Sequence, residues 1–289
     1  MNFLKRIEKK LRWKRIEIKK ISGLIQALYD LTLFHQTKNL QSKCTNPLNA
    51  FGRKCFSQTD EDGITLEILR RLDLMSDGIY AEFGVGDGME NNTLVLAALG
   101  WKGFWVGGEN LKPRIQETPE KRFAYLQKWI TLENIVELAR SGLHQIGAKG
   151  PDVISLDLDG NDIYLVESLL SAQIRPKLFI VEYNAKFPPP IEFRISYDAN
   201  HSWQNDDYFG ASLASFEKLF NEHNYQLVCC NSHTGSNAFF VDRRYSPEFS
   251  DIPNNSNEIY AEPRYWLYRQ YGHPVSLKTV ERILNADDA

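Results

Sequence analysis

The chain has 289 residues, 43% hydrophobic and 25% charged, with a formal net charge of -3; it is long enough to bury a full core and too ordinary in composition for wholesale disorder. The slight negative charge gives no reason to expect a nucleic-acid partner. Cys44, Cys55, Cys229 and Cys230 form neither a CxxC pair nor the density of a disulfide scaffold, so a reducing cytoplasm is the expected setting.

Residues 1–52 read as a basic amphipathic helical arm and a linker. Leu4, Ile7, Leu11, Ile18, Ile21, Ile25 and Leu28 recur at steps of three and four, which predicts a helix or pair of helices up to about Phe34. Lys5, Arg6, Lys9, Lys10, Arg12, Lys14, Arg15, Lys19 and Lys20 crowd its first part against Glu8 and Glu17. One reading is a peripheral anchor on anionic lipid at the inner face of a membrane. The other is an arm packed on its own domain or on a partner subunit, which leaves a homo-oligomer open; the pattern does not separate the two. The cations are interleaved with the apolar residues, unlike a signal peptide, and no stretch approaches the roughly 18 apolar residues of a spanning helix. Gln36 to Gly52 is polar and aperiodic and reads as a linker.

Residues 53–245 read as one α/β domain. The acids of Ser57-Gln58-Thr59-Asp60-Glu61-Asp62-Gly63 suit a helix N-terminus, where negative charge meets the positive end of the dipole. Strands are expected at Gly78 to Phe83, Gly103 to Val106, within Phe123 to Leu132, at Asp152 to Leu158 and at Leu178 to Val181. Helices are expected at Asn92 to Leu99, Asn134 to Leu143, Ile163 to Leu170 and Ala211 to Glu222. This alternation implies a Rossmann-like, doubly wound and mostly parallel sheet. Gln226 to Cys230 and Asn237 to Val241 are close enough in sequence for an antiparallel hairpin at its edge. Residues 246–289 form a C-terminal extension with a short helix near Thr279 to Leu284.

Gly84, Gly86 and Gly88 follow a strand and precede a helix, where a nucleotide-like ligand needs close backbone approach. A tight structural turn is the alternative. Glu109 lies beyond the next strand, about 20 residues on, where a carboxylate accepts hydrogen bonds from ribose hydroxyls. The spacing Glu-x-Gly-x-Gly-x-Gly is not the pyrophosphate fingerprint. Glu82 at the strand end would repel a pyrophosphate but hold the ammonium of an amino-acid cofactor tail, which argues against a nicotinamide dinucleotide.

Asp157, Asp159 and Asp162 leave one strand end, and Glu182 and Asn184 leave the neighbouring one. Asp157, Asp159, Glu182 and Asn184 are the expected ligands of Mg²⁺ or another divalent cation, which would polarise an acceptor hydroxyl. The competing reading has Asp157 and Asp159 capping the next helix and Glu182 bonding substrate hydroxyls. Asp157, His201 and His233 are the candidate bases. Tyr197, Trp203 and Tyr208 suit either an acceptor pocket or the core of a small cap.

Glu82 to Gly88 matches methyltransferase motif I, with Glu109 as the ribose acid. Asp152 to Asp162, followed by Phe179-Ile180-Val181-Glu182-Tyr183-Asn184, resembles the SxDxxG and xxEx(N) signature of FkbM-type methyltransferases. Phe56-Ser57-Gln58 with Glu61-Asp62-Gly63, and Tyr208 to Leu213, recur in the same group, so the likeness covers about Phe56 to Asp242. It implies a class I methyltransferase fold that binds S-adenosylmethionine through Glu82, Gly84, Gly86, Gly88, Glu109 and Asp157, with Asn134 or Glu133 near the adenine. The implied reaction is O-methylation of a sugar hydroxyl on a glycan or glycoconjugate. A small-molecule methyltransferase, or a non-catalytic assembly protein that keeps the fold, are the alternatives.

Overall fold

The computed structural model describes residues 2–114, 121–264 and 273–285. The chain divides into two compact units, Met1–Lys43 and Cys44–Ala289.

The first unit is a single helix, α1 (Asn2–Lys43). It runs past the expected end near Phe34 because Gln36 to Lys43 contains neither Gly nor Pro, and its Gln, Lys and Leu residues suit a helix. The side chains of Leu4, Ile7 and Leu11 lie outside the described residues. Ile18, Ile21, Ile25 and Leu28, the remainder of the expected stripe, are exposed within this unit. Among the described residues no helix is long and apolar enough to cross a membrane.

The second unit begins where a linker was expected to continue. Pro47–Phe51 forms a 3-10 turn capped by Asn46, whose Oδ1 accepts from Leu48 N. Asn46 Nδ2 donates to Val228 O at 2.7 Å and Asn49 Nδ2 to Cys230 O at 2.8 Å. These amides belong to the folded unit through bonds that leave no periodic trace in sequence.

Seven strands make the sheet: β1 (Ile79–Phe83), β2 (Lys102–Gly107), β3 (Phe123–Gln127), β4 (Val153–Leu156), β5 (Leu178–Glu182), β6 (Tyr225–Cys230) and β7 (Asn237–Asp242). Their spatial order is β3-β2-β1-β4-β5-β7-β6. β7 is the one strand of the seven that runs against the direction of the rest. The Rossmann-like expectation and the antiparallel edge hairpin both hold. Every residue of β4 is buried, as are Leu178 to Val181 of β5, which explains their unbroken apolar runs: a central parallel strand is covered on both faces.

Between the strands lie α2 (Glu61–Arg71), α3 (Leu94–Ala98), α4 (Ile135–Gln145), α5 (Asp162–Ser171) and α6 (Leu213–Glu222), with α7 (Ser256–Ile259) and α8 (Leu277–Leu284) in the extension. Strand order reverses between β1 and β4, so the carboxyl ends of these two strands flank a crevice, the usual ligand position in such sheets.

The acids before α2 do more than meet a helix dipole. Asp60 is the N-cap residue but makes no side-chain cap bond. Asp62 Oδ2 instead accepts from Cys55 N, Phe56 N, Ser57 N and Ser57 Oγ. Asp60 accepts from Ser232 N, Ser232 Oγ and His233 N. Glu61 accepts from Thr59 N, Thr59 Oγ1 and Asn231 Nδ2. The three carboxylates therefore tie the start of the domain to itself and to the β6–β7 loop.

Candidate functional site

The turn after β1 is held open by three glycines in the left-handed region, with φ of +88° at Gly84, +49° at Gly86 and +83° at Gly88. Their reasons differ. A Cβ on Gly84 would lie 1.7 Å from the carbonyl oxygen of Asp157, whereas one on Gly86 would meet nothing within 4 Å. Gly84 is demanded by the neighbouring chain, and Gly86 by its backbone angle on an open side of the turn.

Glu82 is not a free carboxylate beside that turn. It accepts from Asn92 N at 2.9 Å, Thr93 N at 3.0 Å and Thr93 Oγ1 at 2.5 Å. Thr93 Oγ1 in turn accepts from Trp105 Nε1. Burial pushes the Glu82 carboxyl up, against the pull of the Thr93 and Asn92 bonds toward the ionised form. Its observed work is to brace β1 against the start of α3, in place of the ammonium contact expected from sequence.

Glu109 lies just past β2 and is exposed. Beside it Trp129 is 57% exposed, with its ring 3.4 Å from the position of a Cβ on Gly108 and its Nε1 donating to Ala199 O at 2.8 Å. Sequence reasoning missed Trp129, because a tryptophan within an apolar run reads as one more strand residue. Asn134 has both ends of its amide committed to its own turn, accepting from Thr131 N and donating to Trp129 O. It is a brace for the loop carrying Trp129, with one bond on each end of the amide already spent on that loop.

Across the switch point the sheet presents acids. Leu156 pairs with Val181, and Glu182 pairs with Asn237. One residue beyond β4, Asp157 thus stands beside Glu182 on the same face, with Asn237 next in the row. Ligand oxygens of Asp157, Asp159 and Glu182 lie within 4.8 Å of one another. Burial, then the charges of Asp159 and Asp162, push Asp157 well above the usual carboxylate range. Burial, then Asp157 and Asp159, do the same to Glu182. Glu182 Oε2 is buried with no hydrogen-bond partner.

Two of the five expected oxygen donors are committed elsewhere. Asp162 accepts from Leu158 N and Gly160 N and closes the loop into α5. Asn184 donates to Asp207 O and Phe209 O and accepts from Lys186 N. It is fully buried, so the expected ligand set loses Asn184 and keeps Asp157, Asp159 and Glu182. Hard oxygen donors crowded together, with no ion pair to a Lys or Arg among the described residues, fit a divalent ion.

The histidines separate. His201 packs on the loop beside the acids, its Cδ2 2.4 Å from where a Cβ on Gly160 would be. Burial lowers its pKa while a backbone bond to Asp159 opposes this. His233 lies in the β6–β7 loop with its backbone N–H on Asp60, so it joins the Asp60–Glu61 network and not the acid row. Tyr197 accepts from Leu132 N, Tyr208 accepts from Ser196 N, and Trp203 donates to Asp206 O. Phe187, Phe193 and Ile195 form their own cluster with Tyr208 packed on it, so Tyr208 belongs to the core of a small cap. A cavity of about 700 Å³ between α5, α6 and α8 contains none of the expected site residues; volume does not mark the site.

No protein-family model matches the sequence, and no curated protein is significantly similar to it. Solved structures are similar at low identity. The SAH-bound methyltransferase CalO1 of calicheamicin biosynthesis is 17% identical, with 61% of this chain and 52% of that one covered and a TM-score of 0.35. The MycE methyltransferase of the mycinamycin pathway, in complex with Mg, SAH and mycinamycin VI, is 15% identical over 63% and 46%, with a TM-score of 0.33. An O-methyltransferase family 2 protein from Planctomyces limnophilus DSM 3776, complexed with apigenin, is 13% identical over 58% and 52%, with a TM-score of 0.32. The chain thus spans about half the length of each. At these scores the likeness adds nothing to the chemistry, which the residues of this chain carry. The strand order with its single reversed strand is the Rossmann-like, mostly parallel sheet with an antiparallel edge that the alternation of strands and helices implied.

Proposed function

We propose that the chain is an S-adenosylmethionine-dependent O-methyltransferase of the FkbM type, acting on a sugar hydroxyl of a glycan or glycoconjugate with a divalent cation at Asp157, Asp159 and Glu182. One observation carries this reading: the two sides of the switch point are chemically unlike. On the β1–β2 side are a glycine turn with an open face at Gly86 and an exposed acid, Glu109. On the β4–β5 side, three carboxyl groups crowd together and Glu182 Oε2 has no donor.

In this reading Gly86 lets a cofactor tail approach the backbone, the exposed Glu109 accepts ribose hydroxyls, and the exposed face of Trp129 takes the adenine. Methyl transfer from a sulfonium is an in-line displacement, so the protein must align the acceptor, exclude water and take one proton. Asp157 is the group assigned to that proton, and His201 packs against Gly160 in the loop that follows it. A divalent ion would supply Lewis acidity toward the acceptor oxygen. The sugar acceptor follows from the resemblance of Ser155-Leu156-Asp157-Leu158-Asp159-Gly160 and Glu182 to the FkbM signature.

The test is calorimetric titration of S-adenosylmethionine into the intact protein, followed by transfer of labelled methyl to free-hydroxyl glycans with and without a chelator. Binding, and chelator-sensitive label on oxygen, are expected. A protein that takes up no S-adenosylmethionine sinks the reading.

A further inference from the structure

Asn237 sits at the seam between two groups of acids and is 4% exposed. Its Nδ2 donates to Glu61 Oε1 at 3.2 Å. Its backbone N–H donates to Asn231 Oδ1 at 2.9 Å, as Ser236 N does at 3.0 Å. Glu61 holds Thr59 N on its other oxygen, so it acts toward Asn237 as an acceptor, and an acceptor there selects the NH₂ end of the amide. The oxygen end is thereby turned away from Glu61. That atom, Asn237 Oδ1, is buried with no hydrogen-bond partner.

Asn237 is also the register partner of Glu182 across the antiparallel β5–β7 pair. Directly opposed residues in such a pair share a face, with Cβ atoms about 4.5–5.5 Å apart. Two adjacent buried acceptors, Asn237 Oδ1 and Glu182 Oε2, therefore both lack a donor. An unanswered buried acceptor destabilises the fold, and a cation answers both at once.

We infer that Asn237 is a further ligand-side residue of the acid row: its amide oxygen supplies a fourth oxygen to a divalent cation held by Asp157, Asp159 and Glu182, with Glu61 as the positioning residue that fixes the amide's orientation. This rests on the cation reading given above and adds β7 to a site otherwise built from β4 and β5.

The experiment uses the full chain and Mn²⁺, with binding read by calorimetry and by electron paramagnetic resonance, no turnover required. Asn237→Ala should weaken Mn²⁺ binding roughly 5- to 20-fold, while Asn237→Asp, which keeps an oxygen in place, should retain or tighten it. Asn237→Ser, whose hydroxyl can still donate to Glu61 but whose reach is shorter, should lose affinity like the alanine variant, and it serves should alanine unfold. Wild-type affinity in both Ala and Ser variants, with Asp157→Asn abolishing binding, overturns the role of Asn237 and leaves the acid row intact. Absence of Mn²⁺ binding in the wild-type protein overturns both the cation and this inference. Titration of S-adenosylmethionine in the same samples decides the methyltransferase reading separately.

Discussion

Two groups of three acids lie at the same edge of this molecule, and they are not alike. Around Asp60, Glu61 and Asp62 the carboxylates meet backbone N–H groups, hydroxyls and amides, four donors on Asp62 Oδ2 alone. Around Asp157, Asp159 and Glu182 the carboxyls meet chiefly one another. Burial alone does not separate a structural acid from a binding one, since both groups contain buried members with raised pKa values. The donors around them do. Asp62 leaves its buried Oδ1 without a partner but gathers four donors on Oδ2, whereas Asp157, Asp159 and Glu182 crowd one another, an arrangement that suits a cation.

The sharpest way to break this contrast is to neutralise one acid of each group. Asp157→Asn should lower kcat/KM for methyl transfer by about 10²- to 10⁴-fold, with a melting temperature equal to or above wild type, because it relieves like-charge crowding. A labelled-methyl assay beside a thermal melt checks both halves, and a marked drop in melting temperature would make Asp157 structural. Asp62→Ala should do the reverse. It strands the N–H groups of Cys55, Phe56 and Ser57 and should cost about 3 kcal/mol, or roughly 10 °C in Tm. S-adenosylmethionine binding below the melting point should survive.

The pH dependence of stability sharpens the comparison further. Burial raises Asp60 and Glu61, with Asp60 adding to the effect on Glu61, and burial pushes Asp162 up to about 6 against the bonds from Gly160 and Leu158. An acid raised in the folded state binds more protons folded than unfolded, so stability grows as pH falls from 7 toward 5. Asp162 alone should contribute on the order of 2 kcal/mol. Asp207 behaves oppositely. Burial pushes its carboxyl up, but Lys186 at 2.5 Å and the bonds from Thr279 and Ser276 outweigh this and hold it below the ordinary value. Its contribution is present above about pH 4 and is lost as pH falls through its lowered pKa. Chemical denaturation across pH should show a mildly acidic maximum, and a monotonic fall from pH 7 would contradict these assignments. The smallest expected effect is at Glu109, exposed and remote from the folding acids. Glu109→Ala should weaken S-adenosylmethionine binding about 10-fold by calorimetry with no change in Tm.

Much of the fold was legible because periodicity reports burial. The apolar runs of β4 and β5, the alternation of strand and helix, and the short gap from Asn231 to Ser236 all mapped onto the observed sheet. The glycine turn was legible for the same local reason, since Gly84, Gly86 and Gly88 each take positive φ. The candidate site was legible only as chemistry, not as assignment. Glu82, Asn134 and Asn184 have the right atoms in the right neighbourhood, yet each is committed to nearby backbone groups such as Asn92 N, Thr131 N and Phe209 O. Sequence names acceptors but not the donors that answer them. The same blindness made the Asp60–Asp62 cluster look like a helix start, because its partners at Asn231 to His233 stand about 170 residues away.

The contact between Gly84 and the carbonyl of Asp157 leaves no slack for a side chain. The glycine turn and the acid row are therefore riveted at one point, and neither can shift along the sheet without dragging the other. In an enzyme of the proposed kind, donor and acceptor would keep a constant spacing through each catalytic cycle.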